Sequence, residues 1–261
     1  MKVAVITGGS SGIGKTTAQF FCDKGWKVYE LSRKGKDFGS VSHITADVTD
    51  ENSLKAAFDK VYENEGRLDL VVCNAGFGIS GAVELTKIED AKKQFDVNFF
   101  GTVRTIQQAL PYLRKSGGGK IINLSSVAAP LSIPFQAFYS SSKAAINALT
   151  LALANELRPF GISVCAVMPG DVSTGFTDAR EKGEDDGSLY GDTIKKSVAV
   201  MEKDERGGMS PTVVAKTIYK ASKKKHPKPL YTAGGKYKFF VFLSKILPAS
   251  LANRIVGMLY T

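Results

Sequence analysis

The stretch "TGGSSGIG", Thr7 to Gly14, constrains the fold of this chain more than any other. It closes an apolar run that starts at residue 2 and opens a helical pattern over about 13–24. Gly8, Gly12 and Gly14 are spaced G-x-x-x-G-x-G. Glycines at such a strand-to-helix turn allow tight reversal, close approach of backbone to a pyrophosphate, and tight packing of helix on strand. The helix start then offers free N–H groups and a positive dipole end to phosphate. Thr7, Ser10 and Ile13 belong to the same expected cradle. The other phosphate loop, ending Gly-Lys-Ser/Thr, ranks low, although "GIGKTT" contains Gly-Lys-Thr.

Beyond this turn, short apolar runs alternate with amphipathic segments. Strands are predicted at 2–9, 26–32, 42–48, 68–76, 119–126, 161–170 and 229–234, and helices at about 13–24, 51–65, 86–115, 139–158 and 211–225. That alternation predicts βαβ units: an α/β, doubly wound parallel sheet of about seven strands with helices on both faces. No linker, repeat or second composition regime appears, so residues 1–261 are read as one domain. Residues 175–209 break the rhythm with charge and glycine, and a long polar insertion in a compact domain is usually functional or disordered. A helix restarts after it, with Ser210 as cap and Pro211 in its first turn.

Hydrophobic content of 43% and charged content of 23% are those of a soluble globular protein. A net charge of +10 suggests an anionic partner, whether a phosphorylated cofactor, nucleic acid or a membrane surface. The basic residues are mostly scattered, and the densest run, 220–228, reads as a solvated face, so nucleic acid is not expected. Cys22, Cys73 and Cys165 show no metal-ligand spacing and read as buried, reduced thiols, so no metal is expected and a cytoplasmic setting is. No signal peptide is visible, and the apolar tail segment 239–247 is too short to span a bilayer but could lie on one.

Four further features sit where such a sheet binds ligands, outside the carboxyl ends of its strands. Counting about 20 residues on from the glycines leads to Ser32 and Arg33 rather than to an acid. A carboxylate there would repel a ribose 2′-phosphate, whereas Arg33 can grip it and Ser32 can donate to it. NADP(H) is therefore favoured, with NAD(H) possible. Polar clusters close three other strands: Ala46-Asp47-Val48, Cys73-Asn74-Ala75-Gly76-Phe77, and Asn123 to Ser126.

Finally, "FYSSSKAAINAL" (138–149) puts Tyr139 and Lys143 one turn apart on one helical face, behind three serines that are a poor start for an ordinary helix. A phenol near pKa 10 exchanges protons badly at neutral pH, and an adjacent ammonium would pull it toward the working range. A hydride added to a carbonyl builds an alkoxide that needs such a donor, and a nearby serine hydroxyl could stabilise that oxygen.

Taken in order, "TGGSSGIG", "DV" (47–48), "NAG" (74–76), "VNFFG" (97–101), "NLSS" (123–126), "YSSSK" (139–143) and "PGDVST" (169–174) make the chain resemble the short-chain dehydrogenase/reductase (SDR) family. The resemblance is strong over about 1–175 and loose beyond. It implies a Rossmann fold and a hydride-transferring oxidoreductase. It assigns Tyr139 as acid/base, Lys143 as its pKa-lowering partner and nicotinamide-ribose contact, and Ser126, in preference to Ser125, as the substrate-oxygen donor. Asn98 would hold a relay water. Asp47, Val48, Asn74, Ala75 and Gly76 would join the cofactor site, with Pro169, Gly170, Val172 and Thr174 at its nicotinamide end. Residues 175–209 would be a substrate lid. Cys73 stands where the family often has asparagine.

Apolar residues near the expected pocket are Phe77, Ile79, Leu131, Ile133, Pro134, Phe135, Phe138 and Phe176, which suits a hydrophobic ketone or secondary alcohol. The C-terminal extension, 236–261, loosely resembles those of hydroxysteroid and retinol dehydrogenase-like members, and either packs on the core or touches a membrane. A homodimer or homotetramer through the helices at 86–115 and 139–158 is implied. The alternatives are a dinucleotide-binding regulator without turnover, and an NAD-dependent alcohol dehydrogenase of the same family.

Overall fold

A computed structural model describes residues 1–183 and 187–260. Its elements are β1 Val3–Thr7, α1 Gly12–Cys22, β2 Lys27–Ser32, β3 Val41–Thr45, α2 Glu51–Glu65, β4 Leu70–Cys73, β5 Ile79–Ser80, α3 Ile88–Phe95, α4 Gly101–Lys115, β6 Gly119–Leu124 and α5 Ala137–Glu156. There follow β7 Ile162–Pro169, β8 Glu181–Lys182, α6 Thr193–Arg206, α7 Pro211–Lys223, β9 Leu230–Ala233, α8 Gly235–Ile246 and α9 Ala249–Tyr260.

Seven of the strands form one parallel sheet in the order β3-β2-β1-β4-β6-β7-β9. The reason is visible in β1, "VAVIT", which is buried at every position and so must be covered on both faces. Its side chains alternate: Val3 and Val5 face a core filled by Leu54 and Phe58 of α2 and Ile106 and Leu113 of α4. Ala4 and Ile6 face the opposite core, with Phe21 of α1 and Val214 and Ile218 of α7. The chain leaves β1 toward β2 and β3 on one side and returns on the other through β4 and β6, so the strand order reverses beside β1. A crevice opens there, outside the carboxyl ends of the strands.

All seven predicted strands are present, and three segments differ from their sequence reading. The single helix expected at 86–115 is divided into α3 and α4 by a π-helical turn, Asp96–Phe100. Widened turns of this kind are inserted where a side chain must be re-aimed. The 175–209 insertion is not featureless: α6 buries Ile194, Ser197, Val198 and Met201, and β8 pairs with β5. Residues 184–186 of that insertion, and Thr261, lie outside the described residues. The tail forms two short helices, α8 and α9, and among the described residues no helix is long and apolar enough to cross a membrane.

Candidate active site

The glycine-rich turn is built as a cradle. Gly12 has φ +51°, and a Cβ there would come within 3.4 Å of Thr174. At Gly14 a Cβ would stand 2.2 Å from the Gly8 carbonyl oxygen and 2.5 Å from Asn74 Nδ2. Only hydrogen fits. Ser11 caps α1 without a side-chain hydrogen bond, leaving first-turn amides without that capping partner. Uncapped amides above a glycine-rich turn fit a pyrophosphate.

Neighbouring strand ends hold the cradle in place. Thr7 Oγ1 accepts from the Asn74 and Ala75 amides at 3.0 and 3.2 Å, and Asn74 Nδ2 donates to the Thr7 and Gly8 carbonyls at 3.0 Å each. Thr7 and Asn74 thus brace β1 to β4. Asp47 is similarly occupied, its Oδ1 accepting from the Thr49 amide and hydroxyl, and Val48 lies buried beneath Gly101. Gly9 to Thr16 also satisfies the spacing G-x-x-x-x-G-K-T letter by letter. The fold still argues against that phosphate loop, because Lys15 lies over the Phe38 ring at 5.1 Å.

At the end of β2, Arg33 is exposed and Ser32 Oγ donates to Glu30 Oε1 at 3.2 Å and to the Lys34 carbonyl at 3.3 Å. The strand therefore does carry an acid, two residues before Ser32. Glu30 is fully buried under Gly9, pairs with His43 Nδ1, and has one carboxylate oxygen with no hydrogen-bond partner. Sequence counting passed over it because the expected position was later.

Asn98 lies in the π-helical turn, fully buried. Its Oδ1 accepts from the Phe77 amide at 3.0 Å, while Nδ2 donates to the Phe77 carbonyl and to Ser142 Oγ at 3.0 and 3.2 Å. The widened turn thereby locks the β4 loop to the start of α5. The three serines resolve by role as well. Ser142 Oγ donates to the Tyr139 carbonyl, and Ser140 Oγ accepts from the Ile133 amide. Ser141 is exposed.

Ser126 and Tyr139 both line the cleft, and Ser126, whose Oγ accepts from the Ala128 amide at 3.1 Å, stands near enough to the phenol to favour its ionised form. Ser125 is occupied elsewhere, donating to the Lys143 carbonyl at 3.0 Å. Lys143 Nζ donates to the Leu124 carbonyl at 2.8 Å and lies 5.7 Å from the centre of the Tyr139 ring. The electrostatics depart from the expectation that the ammonium lowers the phenol's pKa. Burial dominates, pushing Tyr139 up to about 12 despite the neighbouring Ser126, and bringing Lys143 down to about 8. Burial penalises both charged forms, and in the unliganded site that cost outweighs the pull of the ammonium on the phenol.

A measurable pH dependence follows. Lys143 is depressed from 10.5 to about 8, so between these values the unfolded chain binds more protons than the folded one. The Lys143 contribution to stability should rise as pH climbs through that window, by on the order of 3 kcal/mol when complete. The buried thiols of Cys73 and Cys165, pushed up from 9.0, oppose it above about pH 9, and Tyr139 above about pH 10, because the unfolded groups ionise first. Thermal melts of the unliganded protein and of Lys143→Met check it: the stability of the first relative to the variant should rise between about pH 8 and 10.

The cleft has a volume of about 360 Å³ and runs from Gly8, Ser10, Gly12 and Ile13 past Asn74–Phe77 to Tyr139 and Lys143. Pro169, Gly170, Val172 and Thr174 line it too. Of the eight apolar residues expected around it, Phe77, Ile133 and Phe176 do line it. The others do not: Ile79 is buried in β5, Leu131 packs on Val127 and Met168, and Phe135 packs against Tyr190. Phe138 lines a separate outer groove beside α3, and Pro134 is half-buried outside the cleft. Near Tyr139 in sequence did not mean near it in space, since the loop before α5 turns away with Phe135 at φ +58°. In their place the fold brings Asp171, Met201, Glu205 and Tyr260 to the cleft. Asp171 was readable within "PGDVST"; Met201, Glu205 and Tyr260 arrive by the packing of α6 and α9, for which the sequence carries no local signal.

Comparison with known proteins agrees with this geometry. Residues 2–185 match the model of the short chain dehydrogenase family, and the chain belongs to that family. It is 43% identical over 229 residues to a 3-ketodihydrosphingosine reductase of Bacteroides thetaiotaomicron, covering 87% of this chain and 85% of that protein. Among solved structures it resembles ElxO with NADP bound (TM-score 0.74, 29% identity, 91% of this chain and 99% of that one). It also resembles an SDR of Burkholderia phymatum in complex with NAD (TM-score 0.81, 25% identity, 93% and 92%). The protein is thus an NAD(P)-binding oxidoreductase acting on CH–OH or C=O groups.

Proposed function

We propose that the chain is an NADP(H)-dependent reductase of a hydrophobic ketone, with Tyr139 as proton donor. The observation that carries this is Ser126, Tyr139 and Lys143 together in the lining of one cleft, with Lys143 one helical turn beyond Tyr139. The dinucleotide supplies the hydride when bound. Ser126 and Tyr139 hydroxyls polarise and orient the carbonyl oxygen, and Tyr139, held neutral by burial, gives it a proton. Lys143 restores that proton, its lowered pKa suiting exchange near neutrality. A relay water at Asn98 would share Oδ1 with the Phe77 amide, since that oxygen has a second lone pair. The cradle residues Thr7, Gly8, Ser10, Gly12, Ile13 and Gly14, together with Asn74, Ala75, Gly76, Pro169, Gly170, Val172 and Thr174, are the dinucleotide's proposed contacts. Asp47 and Val48 belong to the same proposal.

Substrate character is read from the cleft. Phe77, Ile133, Phe176 and Met201 give an apolar wall, whereas the carboxylates that reach the cleft are already partnered, Asp171 by the Tyr237 hydroxyl and Glu205 by Arg180 and Thr177. A long-chain ketone fits the apolar wall, in keeping with the relative's name. Residues 175–209 serve as its lid, with α6 as the rigid part, and a dimer or tetramer in the cytoplasm completes the reading. The experiment is NADPH oxidation with 3-ketodihydrosphingosine against simpler ketones; no turnover on any hydrophobic ketone would refute it.

The cofactor preference has a competitor. Glu30, with its unpartnered oxygen beneath Gly9, could favour an unphosphorylated ribose and hence NAD. Arg33→Asp decides: the NADPH-to-NADH preference should fall by on the order of tenfold or more. An unchanged ratio would place the discrimination at Glu30 instead.

A further inference from the structure

The last two helices present a surface that the reductase chemistry does not use. On α8, Phe239, Phe242 and Ile246 are about three-fifths exposed. Their i, i+3, i+7 spacing aligns them in one stripe along the helix, while Val241 is buried on the other side. At 100° per residue, Lys238 and Lys245 run along one edge of that stripe and Lys236 lies on the other. Helix α9 repeats the design. Leu251, Ile255, Met258 and Leu259 are exposed at i, i+4, i+7 and i+8, beside Arg254, and Val256 is buried.

Charge says what covers such a surface. All 25 Asp and Glu lie at or before Glu205, whereas 11 of the 35 Lys and Arg lie after it. The first 205 residues therefore carry 24 positive against 25 negative charges, and the whole surplus of +10 falls in the last 56 residues. A second copy seated here would bring like charge against like charge. An anionic lipid surface would instead neutralise it, with lysine stems lying along the apolar stripe and their heads among the phosphates. Each helix has 12 residues, about 18 Å, so it can lie in the interface but not cross it.

We propose that α8 and α9 dock this protein on an anionic lipid bilayer through these stripes. The position is apt for the chemistry: α9 packs on α6 and α8, and its last described residue, Tyr260, lines the cleft with Met201 and Glu205. A ketone dissolved in the bilayer would meet the cleft beside the contact, a corollary that rests on the proposed substrate; the docking itself does not.

The test is co-sedimentation with vesicles of phosphatidylcholine alone and of phosphatidylcholine with about 30% phosphatidylglycerol. The full chain should pellet with the anionic vesicles and not the neutral ones, and raising salt from about 0.1 to 0.5 M should weaken binding on the order of tenfold. The double variant Phe239→Ser/Phe242→Ser should lose binding by a similar factor or more, with unchanged turnover on a water-soluble ketone reporting an intact fold. Absence of binding to anionic vesicles at low salt overturns the proposal, as does equal binding by the double variant. So does a dimer, without vesicle binding, that the double variant converts to monomer, which would make the face a subunit interface. Sedimentation needs no turnover, so the docking and the substrate reading fail separately.

Discussion

Tyr139→Phe should lower turnover about a hundredfold to ten-thousandfold while leaving NADPH binding and folding intact. The substitution removes one hydroxyl and keeps the ring, whose centre lies 5.9 Å from that of Phe176. Folding is expected to hold because the lost hydroxyl is neutral and the ring that packs in the cleft is kept. Initial rates at saturating ketone, with an NADPH fluorescence titration beside them, separate the two effects. Full turnover in this variant would move the proton donor to another cleft hydroxyl, with Ser126 and Tyr260 the candidates within the lining.

The second large effect belongs to Gly14→Ala. The new methyl would stand 2.2 Å from the Gly8 carbonyl oxygen, and that oxygen belongs to backbone pinned from two sides. Gly8 donates its amide to the Leu31 carbonyl at 2.7 Å, and its own carbonyl receives Asn74 Nδ2. With nothing flexible to yield, overpacking should cost about 3 kcal/mol, or roughly 6 °C in Tm for a chain of this size. Calorimetry of the unliganded protein reads it directly. A loss under about 1 kcal/mol would mean that the turn relaxes, and that its closeness is no requirement of the fold.

Legibility in the sequence followed locality. The sheet could be read because each strand announces itself over four to eight residues, and β1, buried throughout, leaves no alternative to two covered faces. Catalytic candidates could be read because Tyr139 and Lys143 share one helix turn and Ser126 ends a strand. What could not be read depended on distant packing. The π-helical turn at Asp96–Phe100 looks helical in pattern, and its reason, Asn98 holding Phe77 and Ser142 together, spans 21 residues one way and 44 the other. Likewise Glu30 gave no signal until Gly9 was seen lying on it. The electrostatics of Tyr139 divide the same way: proximity of an ammonium is readable, but the dryness of the unliganded site, which acts in the opposite direction, is not.

The placement of Tyr260 has a practical consequence for anyone handling the protein. Chain extensions are usually treated as interchangeable between the two termini, and here they are not. A purification handle at the C-terminal end would follow closely on Tyr260, a residue of the cleft wall, and would crowd a bound substrate. One fused before Met1, which is three-quarters exposed, would emerge ahead of β1, at the opposite edge of the sheet from the strand ends that carry the site.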